Sequence, residues 1–101
     1  GQTGVSNVPK MFALGQNFPN PFNPTTTIGF SVPKSGHVTM KVYDVLGRSV
    51  RTLVSGEFAA GNYSIVWDAA DDSGNKISAG AYLYTVTAEN YRATKRMMFL
   101  K

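Results

Sequence analysis

Short alternating apolar runs, broken at close intervals by turn residues, leave this chain few architectures. Ile28, Phe30 and Val32 alternate with Thr27, Gly29 and Ser31, the period of a strand with one buried face. HVTMKVYD (37–44) repeats it with Val38, Met40 and Val42, and RSVRTLV (48–54) sets Val50 among outward arginines. NYSIVWD (62–68) carries the one tryptophan, AYLYTVTAE (81–89) places Tyr82, Tyr84 and Val86 on one face, and RATKRMMFL (92–100) closes the series. No segment of ten or more residues combines helical apolar spacing with freedom from Gly, Pro and β-branched side chains, so no helix is expected. The class is all-β. About seven short antiparallel strands in such a chain fit an immunoglobulin-like or fibronectin-like sandwich better than a closed barrel.

The connections carry expectations of their own. Pro33 ends the first long strand and KSG supplies a turn, so that strand and 37–44 are expected to pair as a hairpin. DVLGR (44–48) predicts a tight turn with Gly47 at positive φ. SGEFAAGNY (55–63) and AADDSGNKISAG (69–80) read as connections, and Asn90–Tyr91 as the last turn. Trp67 is expected to anchor the core. With 101 residues and no cysteine, one modest core has to hold the domain without disulfides.

Ahead of the first long strand stands QNFPNPFNPTTT (16–27), whose Pro19, Pro21 and Pro24 forbid a helix and bias each preceding residue toward extended geometry. The leader motif Asn17, Pro19, Asn20, Pro21, Phe22, Asn23 and Pro24 therefore reads as a fixed, extended cap on the domain, with Phe18 and Phe22 packing on an edge of the sandwich. Residues 1–11, GQTGVSNVPKM, lack any sustained period and suggest a linker from an upstream domain, leaving 12–101 as the folded unit. A chain beginning at Gly1 reads as a piece of something longer, and no apolar run approaches the length that spans a bilayer.

Catalytic chemistry finds little to work with. His37 is the sole histidine and follows a Ser-Gly turn, where a solvent-facing turn residue is expected rather than a general base. Asp68, Asp71 and Asp72 cluster as oxygen ligands for calcium could, but the calcium-loop spacing is absent, and Asp beside Gly and Asn also serves a structural turn. No metal and no cofactor is expected. Tyrosines spaced two apart are sheet-face packing rather than a stacking platform for sugars or bases. The formal charge of +4 is carried by Arg92, Lys95, Arg96 and Lys101, which have no acid among residues 91–101. This is too sparse for a polybasic run and reads as the solvated face of a last strand, with neither nucleic-acid binding nor membrane insertion expected.

Four segments, LGQNFPNPFNPTTTIGFSVP (14–33), VTMKVYDVLGRSVRTLVSG (38–56), AGNYSIVWDAADDSGNKISAGAYLYTVTA (60–88) and TKRMMFLK (94–101), together resemble the type A C-terminal sorting domain of bacterial type IX secretion cargo. The same pattern is similar to the immunoglobulin-like domain of flagellar hook-capping proteins. The first resemblance implies a non-catalytic address. It carries a covalently linked upstream cargo through the periplasm to the cell surface or the extracellular medium, recognised by the type IX outer-membrane translocon and a surface sortase-like protease, with cleavage of the domain or surface attachment of the cargo following. The second implies a structural spacer or assembly module, and a carbohydrate-binding appendage using exposed Tyr and Trp is a third alternative. In the sorting reading Thr94, Lys95, Arg96, Met97, Met98, Phe99, Leu100 and Lys101 form the partner-binding segment, because a terminal strand at a sheet edge offers unpaired backbone for strand addition. Alternation sends Met97 and Phe99 one way and Met98 and Leu100 the other, so half of these apolar residues are expected to finish the core.

Overall fold

The computed structural model describes residues 8–101, and most of the expected linker over 1–11 lies outside them. Seven strands follow in order: β1 Ala13–Leu14, β2 Thr26–Val32, β3 Gly36–Asp44, β4 Ser49–Phe58, β5 Gly61–Trp67, β6 Gly80–Ala88 and β7 Tyr91–Phe99. They form two antiparallel sheets, one of three strands ordered β1-β2-β5 and one of four ordered β4-β3-β6-β7. The alternation read from the sequence is the alternation of burial. Ile28, Phe30 and Val32 face Val38, Met40, Val42, Tyr82, Tyr84 and Val86 across one core, all of them buried. Trp67 lies inside, 1% exposed, with its indole N–H donated to the Ala70 carbonyl at 2.9 Å, which answers the one polar atom such a ring brings into a core.

The expected hairpin between the first two long strands does not form. β2 pairs with β5 and β1, while β3 pairs with β4 and β6. Two strands with one apolar face each can bury those faces side by side in one sheet or opposite each other in two, and period two is the same in both cases. Pro33 and the turn after it carry the chain across. β4 also runs beyond Val54, through the stretch read as a connection, to Phe58, with Gly56 opposite Val38. An edge strand tolerates a glycine whose side chain would have packed against nothing. The last turn sits at Glu89–Asn90, one residue earlier than expected, and Tyr91 already belongs to β7.

DVLGR is the turn its residues specify. Gly47 has φ 84°, and the Asp44 carboxylate accepts from the backbone N–H of Leu46 at 2.9 Å and of Arg48 at 3.0 Å, with the Arg48 Nε at 2.7 Å. The Arg48 backbone N–H is the largest influence on this carboxyl. Partial burial works against it, and the guanidinium and the Leu46 N–H add to it, holding Asp44 below its ordinary 3.8. A carboxyl with a folded-state pKa below the unfolded value stabilises the fold above pH 3.8 and loses that contribution as pH falls through the lower folded value. Asp44→Asn is therefore expected to melt below the wild type near neutral pH. The gap should close on acidification below 3.8, a trend that melting curves over an acid pH series would read directly.

Candidate functional site

Between β1 and β2 the leader makes a closed excursion. Gly15 donates to the Gly29 carbonyl at 2.8 Å, and Phe18 exchanges two backbone hydrogen bonds with Thr27 at 2.9 and 2.8 Å, so both ends of the excursion are tied to the three-stranded sheet. A Cβ at Gly15 would lie 3.2 Å from the Gly29 oxygen, close enough that the β2 backbone would have to give by a few tenths of an ångström. Its tip crosses to the other sheet and lies along the outer edge of β7. Phe22 donates to the Met98 carbonyl at 2.9 Å and accepts from the Leu100 N–H at 3.1 Å. Asn20 Oδ1 accepts from the Met98 N–H at 3.0 Å, Gln16 Nε2 donates to the Arg96 carbonyl at 2.8 Å, and Asn23 Nδ2 donates to the Leu100 carbonyl.

Two anchors hold this loop down. Phe22 is 1% exposed and inserts between Phe99, with ring centroids 5.1 Å apart, and Trp67 at 5.7 Å. The Tyr84 hydroxyl, in the middle of the core, accepts from the Asn17 N–H at 2.8 Å and donates to the Gly15 carbonyl at 2.7 Å. Burial pushes the Tyr84 pKa up, with the Asn17 hydrogen bond opposing in part, so the proton needed for the second bond stays in place. The buried Asn17 side chain donates to Thr26 Oγ1 at 3.0 Å and to the Pro19 carbonyl at 3.2 Å, and Thr26 donates to that same carbonyl at 2.9 Å.

The expected extended cap is thus a cap, but a bent one. Its bonds at Phe18–Pro19, Asn20–Pro21 and Asn23–Pro24 are cis. Phe22 packs as expected. Phe18 does not: paired with the exposed Thr27 and following the buried Asn17, it stands 77% exposed on the outer face of the three-stranded sheet. Pro19, Asn20, Pro21, Asn23 and Pro24 are exposed.

β7 is an edge strand, with a divided edge. Backbone groups of Arg96, Met98 and Leu100 point away from β6 and are taken by the leader. By the same alternation those of Arg92 and Thr94 also point outward, beyond the leader's reach. Met97 and Phe99 are buried, while Leu100, Lys101, Arg96 and Thr94 are exposed and Met98 and Lys95 half-buried. Thr94 Oγ1 lies 2.8 Å from Thr85 Oγ1 across the strand pair. Sequence reasoning missed Gln16 and Tyr84 as members of this unit. The alternation marks Tyr84 as buried, but nothing local announces what its hydroxyl meets.

The remaining polar clusters are structural. Asp71 Oδ1 accepts from Ser73 and Asn75 N–H groups, both at 2.9 Å, Asp72 accepts from Thr52 at 3.0 Å and Asp68 from Ala70 at 3.2 Å. His37 is exposed beside Glu57 at 3.5 Å. Trp67, Tyr82 and Tyr84 are buried and cannot stack on a sugar, while Tyr43, Tyr63 and Tyr91 are half-buried.

Such a geometry, two sheets around one core with loops hydrogen-bonded along the strand edges, defines an immunoglobulin-like module. The FlgD Ig-like domain description matches residues 18–91, and the chain belongs to that family. It is 36% identical over 67 residues to the basal-body rod modification protein FlgD of Salmonella typhimurium, covering 65% of this chain and 29% of that protein. It therefore spans less than a third of the curated relative it matches. Among solved structures, dimeric latent PorU from Porphyromonas gingivalis superposes with a TM-score of 0.68 at 25% identity, over 84% of this chain and 9% of PorU. PorZ of the same organism, an essential surface component of the type-IX secretion system, shares the fold with a TM-score of 0.54 at 20% identity, over 89% of this chain and 11% of PorZ.

The two leader phenylalanines separate packing from display. Phe22→Ala is expected to cost about 3–5 kcal/mol, while Phe18→Ala stays within about 0.5 kcal/mol. Tyr84→Phe, which strands the Asn17 N–H and the Gly15 carbonyl, is expected to cost about 1–3 kcal/mol. Urea unfolding of the three variants checks the order, and equal losses for Phe18 and Phe22 would contradict the assigned positions.

Proposed function

We propose that this domain is a non-catalytic sorting module that directs a covalently attached upstream protein across the bacterial outer membrane through a type IX secretion apparatus. The observation that carries the reading is the joining of the leader to the last strand. These are the two segments of the sorting-domain resemblance furthest apart in sequence, and hydrogen bonds at Arg96, Met98 and Leu100 make them one surface. A translocon component reading this corner meets Asn20, Asn23, Leu100 and Lys101 side by side. It has the open backbone of Arg92 and Thr94 available for strand addition, with Arg92, Arg96 and Lys101 steering an acidic partner. A surface protease that removes the domain acts N-terminal to the folded unit over 12–101, in the linker that reaches it from the upstream protein. The second reading, a structural module such as the family relation to FlgD suggests, places no demand on this edge.

Deleting residues 94–101 is a poor test, because it removes the buried Met97 and Phe99. Thr94→Pro is a better one. Its N–H points away from β6, so proline there blocks an incoming strand while sparing the ladder, as edges permit. A periplasm-targeted fluorescent reporter fused ahead of residues 1–101 is expected to reach the medium or cell surface in a bacterium with the type IX machinery. The Thr94→Pro fusion is expected to stay folded in the periplasm. Retention of both fusions would replace the sorting reading with the structural one. Export of both would rule out strand addition at Thr94.

A further inference from the structure

We infer that the free edge of β5 pairs with β5 of a second copy of this chain, joining two three-stranded sheets into one of six strands. The direction of its backbone follows from β2. Thr27 and Gly29 turn their groups toward the leader and β1, where they bond Phe18 and Gly15. By alternation Ile28 and Phe30 address β5, so Tyr63 and Ile65 face β2, and Asn62, Ser64 and Val66 point outward. Among the described residues no hydrogen bond reaches the backbone of those three from the outer side. Loops cover half of each edge of the larger sheet, and β1 is only two residues long. Among the described strands, β5 is thus the long edge left bare.

The core is unfinished in the same place. β4 and β5 are edge strands on one side of the sandwich, with the Phe58 and Tyr63 rings 5.0 Å apart. Of the apolar side chains that the core covers only in part, Val50, Leu53, Phe58, Tyr63 and Ile65 all lie on these two strands. Val66, on the outer face, is 60% exposed. Edges that must stay single are guarded by charge or proline. GNYSIVW (61–67) has neither.

Charge and symmetry select a second copy as the occupant. A charged strand finds no counter-charge along GNYSIVW. The basic excess of the chain, Arg92, Lys95, Arg96 and Lys101, lies on and after β7, on the far side of the sandwich by β1. Two copies meeting at β5 keep those cations apart, and Arg51 on the near side is already flanked by Asp68 and Asp72. A two-fold axis at Ser64 sets Ser64 against its own copy and Asn62 against Val66 of the other chain, an isologous register. Each facing pair exchanges two hydrogen bonds, so every outward group of the edge is met. A shift by two residues instead carries Asn62 or Val66 past the end of the strand opposite. On the inner face Tyr63 then lies across from Ile65 of the second copy, an aromatic against a β-branched side chain. The pairing leaves β7 and the leader uncovered, so it stands independently of the sorting reading.

Sedimentation equilibrium of the full 101-residue chain tests this. One strand pair per copy is at the small end of interfaces, so a weak dimer is expected, with the mass of one chain at ~10 µM and approaching two at ~1 mM. Ser64 is exposed and its N–H points away from β2, so Ser64→Pro is expected to remain a single chain at ~1 mM while melting like the wild type. Ser64→Lys and Ser64→Glu each set like charges across the axis and are expected to weaken the dimer about fivefold or more. Their equimolar mixture is expected to associate at least as tightly as the wild type. Thr94→Pro, on the other side of the sandwich, is expected to dimerise unchanged. A single chain throughout the range overturns the inference, as do folded Ser64 variants that associate like the wild type. A mixture no tighter than either charged variant alone overturns it too, and so does loss of the dimer in Thr94→Pro. Should Ser64→Pro melt below the wild type, the two charged variants, which keep every backbone group, decide the matter.

Discussion

A tyrosine hydroxyl at the centre of a small core has to be answered, and the answer given to Tyr84 shapes this domain. Tyr84 lies on a central strand of the larger sheet with no exposure, yet its oxygen accepts from the Asn17 N–H and donates to the Gly15 carbonyl. Both partners belong to the segment entering from the other sheet. Leaving either one unmet inside the core would cost more than a made hydrogen bond returns. That asymmetry fixes where the leader must run. With residues 15 to 17 pinned, the next turn of chain is delivered over the gap between the sheets, where Phe22 closes the core against Phe99 and Trp67.

Both edges of the larger sheet are then handled alike. Along β7 the leader satisfies the outward groups of Arg96, Met98 and Leu100. Along β4 the loop after Trp67 does the equivalent: Asp72 donates its N–H to the Val50 carbonyl at 3.0 Å, its carboxylate accepts from Thr52, and Arg51 reaches the Ala70 carbonyl at 3.1 Å. An exposed row of strand amides invites pairing with any other chain. Covering half of each edge with loops leaves short stretches, which restricts strand addition to partners that fit them.

What the sequence disclosed, and what it concealed, follows from the range of the interactions. Period two gave the buried face of β2, β3 and β6 residue by residue, because alternation is local. Asp44 and Gly47 declared their turn for the same reason. The pairing of β2 was illegible, since Ile28, Phe30 and Val32 show the same pattern whether β3 lies beside them or opposite. In the site, the prolines of the leader excluded a helix but could not say which phenylalanine turns inward. That depends on where Phe99 and Trp67 wait, some 77 and 45 residues further on. Gln16 escaped notice because its partner is a backbone carbonyl eighty positions away.

Those separations have a consequence for how the domain comes to completion. The bonds of Gln16 to Arg96, Asn20 to Met98 and Asn23 to Leu100 close loops of 80, 78 and 77 residues. Contacts of such range are the slow ones in folding, because chain entropy is lost before they return anything. The leader's hydrogen bonds at Arg96, Met98 and Leu100 require β7 in place, and β7 is held there by its ladder with β6. Leader and last strand therefore come together only in the finished fold. A partner that grips both at once distinguishes a completed domain from a partly folded one without inspecting the core, since a half-formed chain presents the two segments apart.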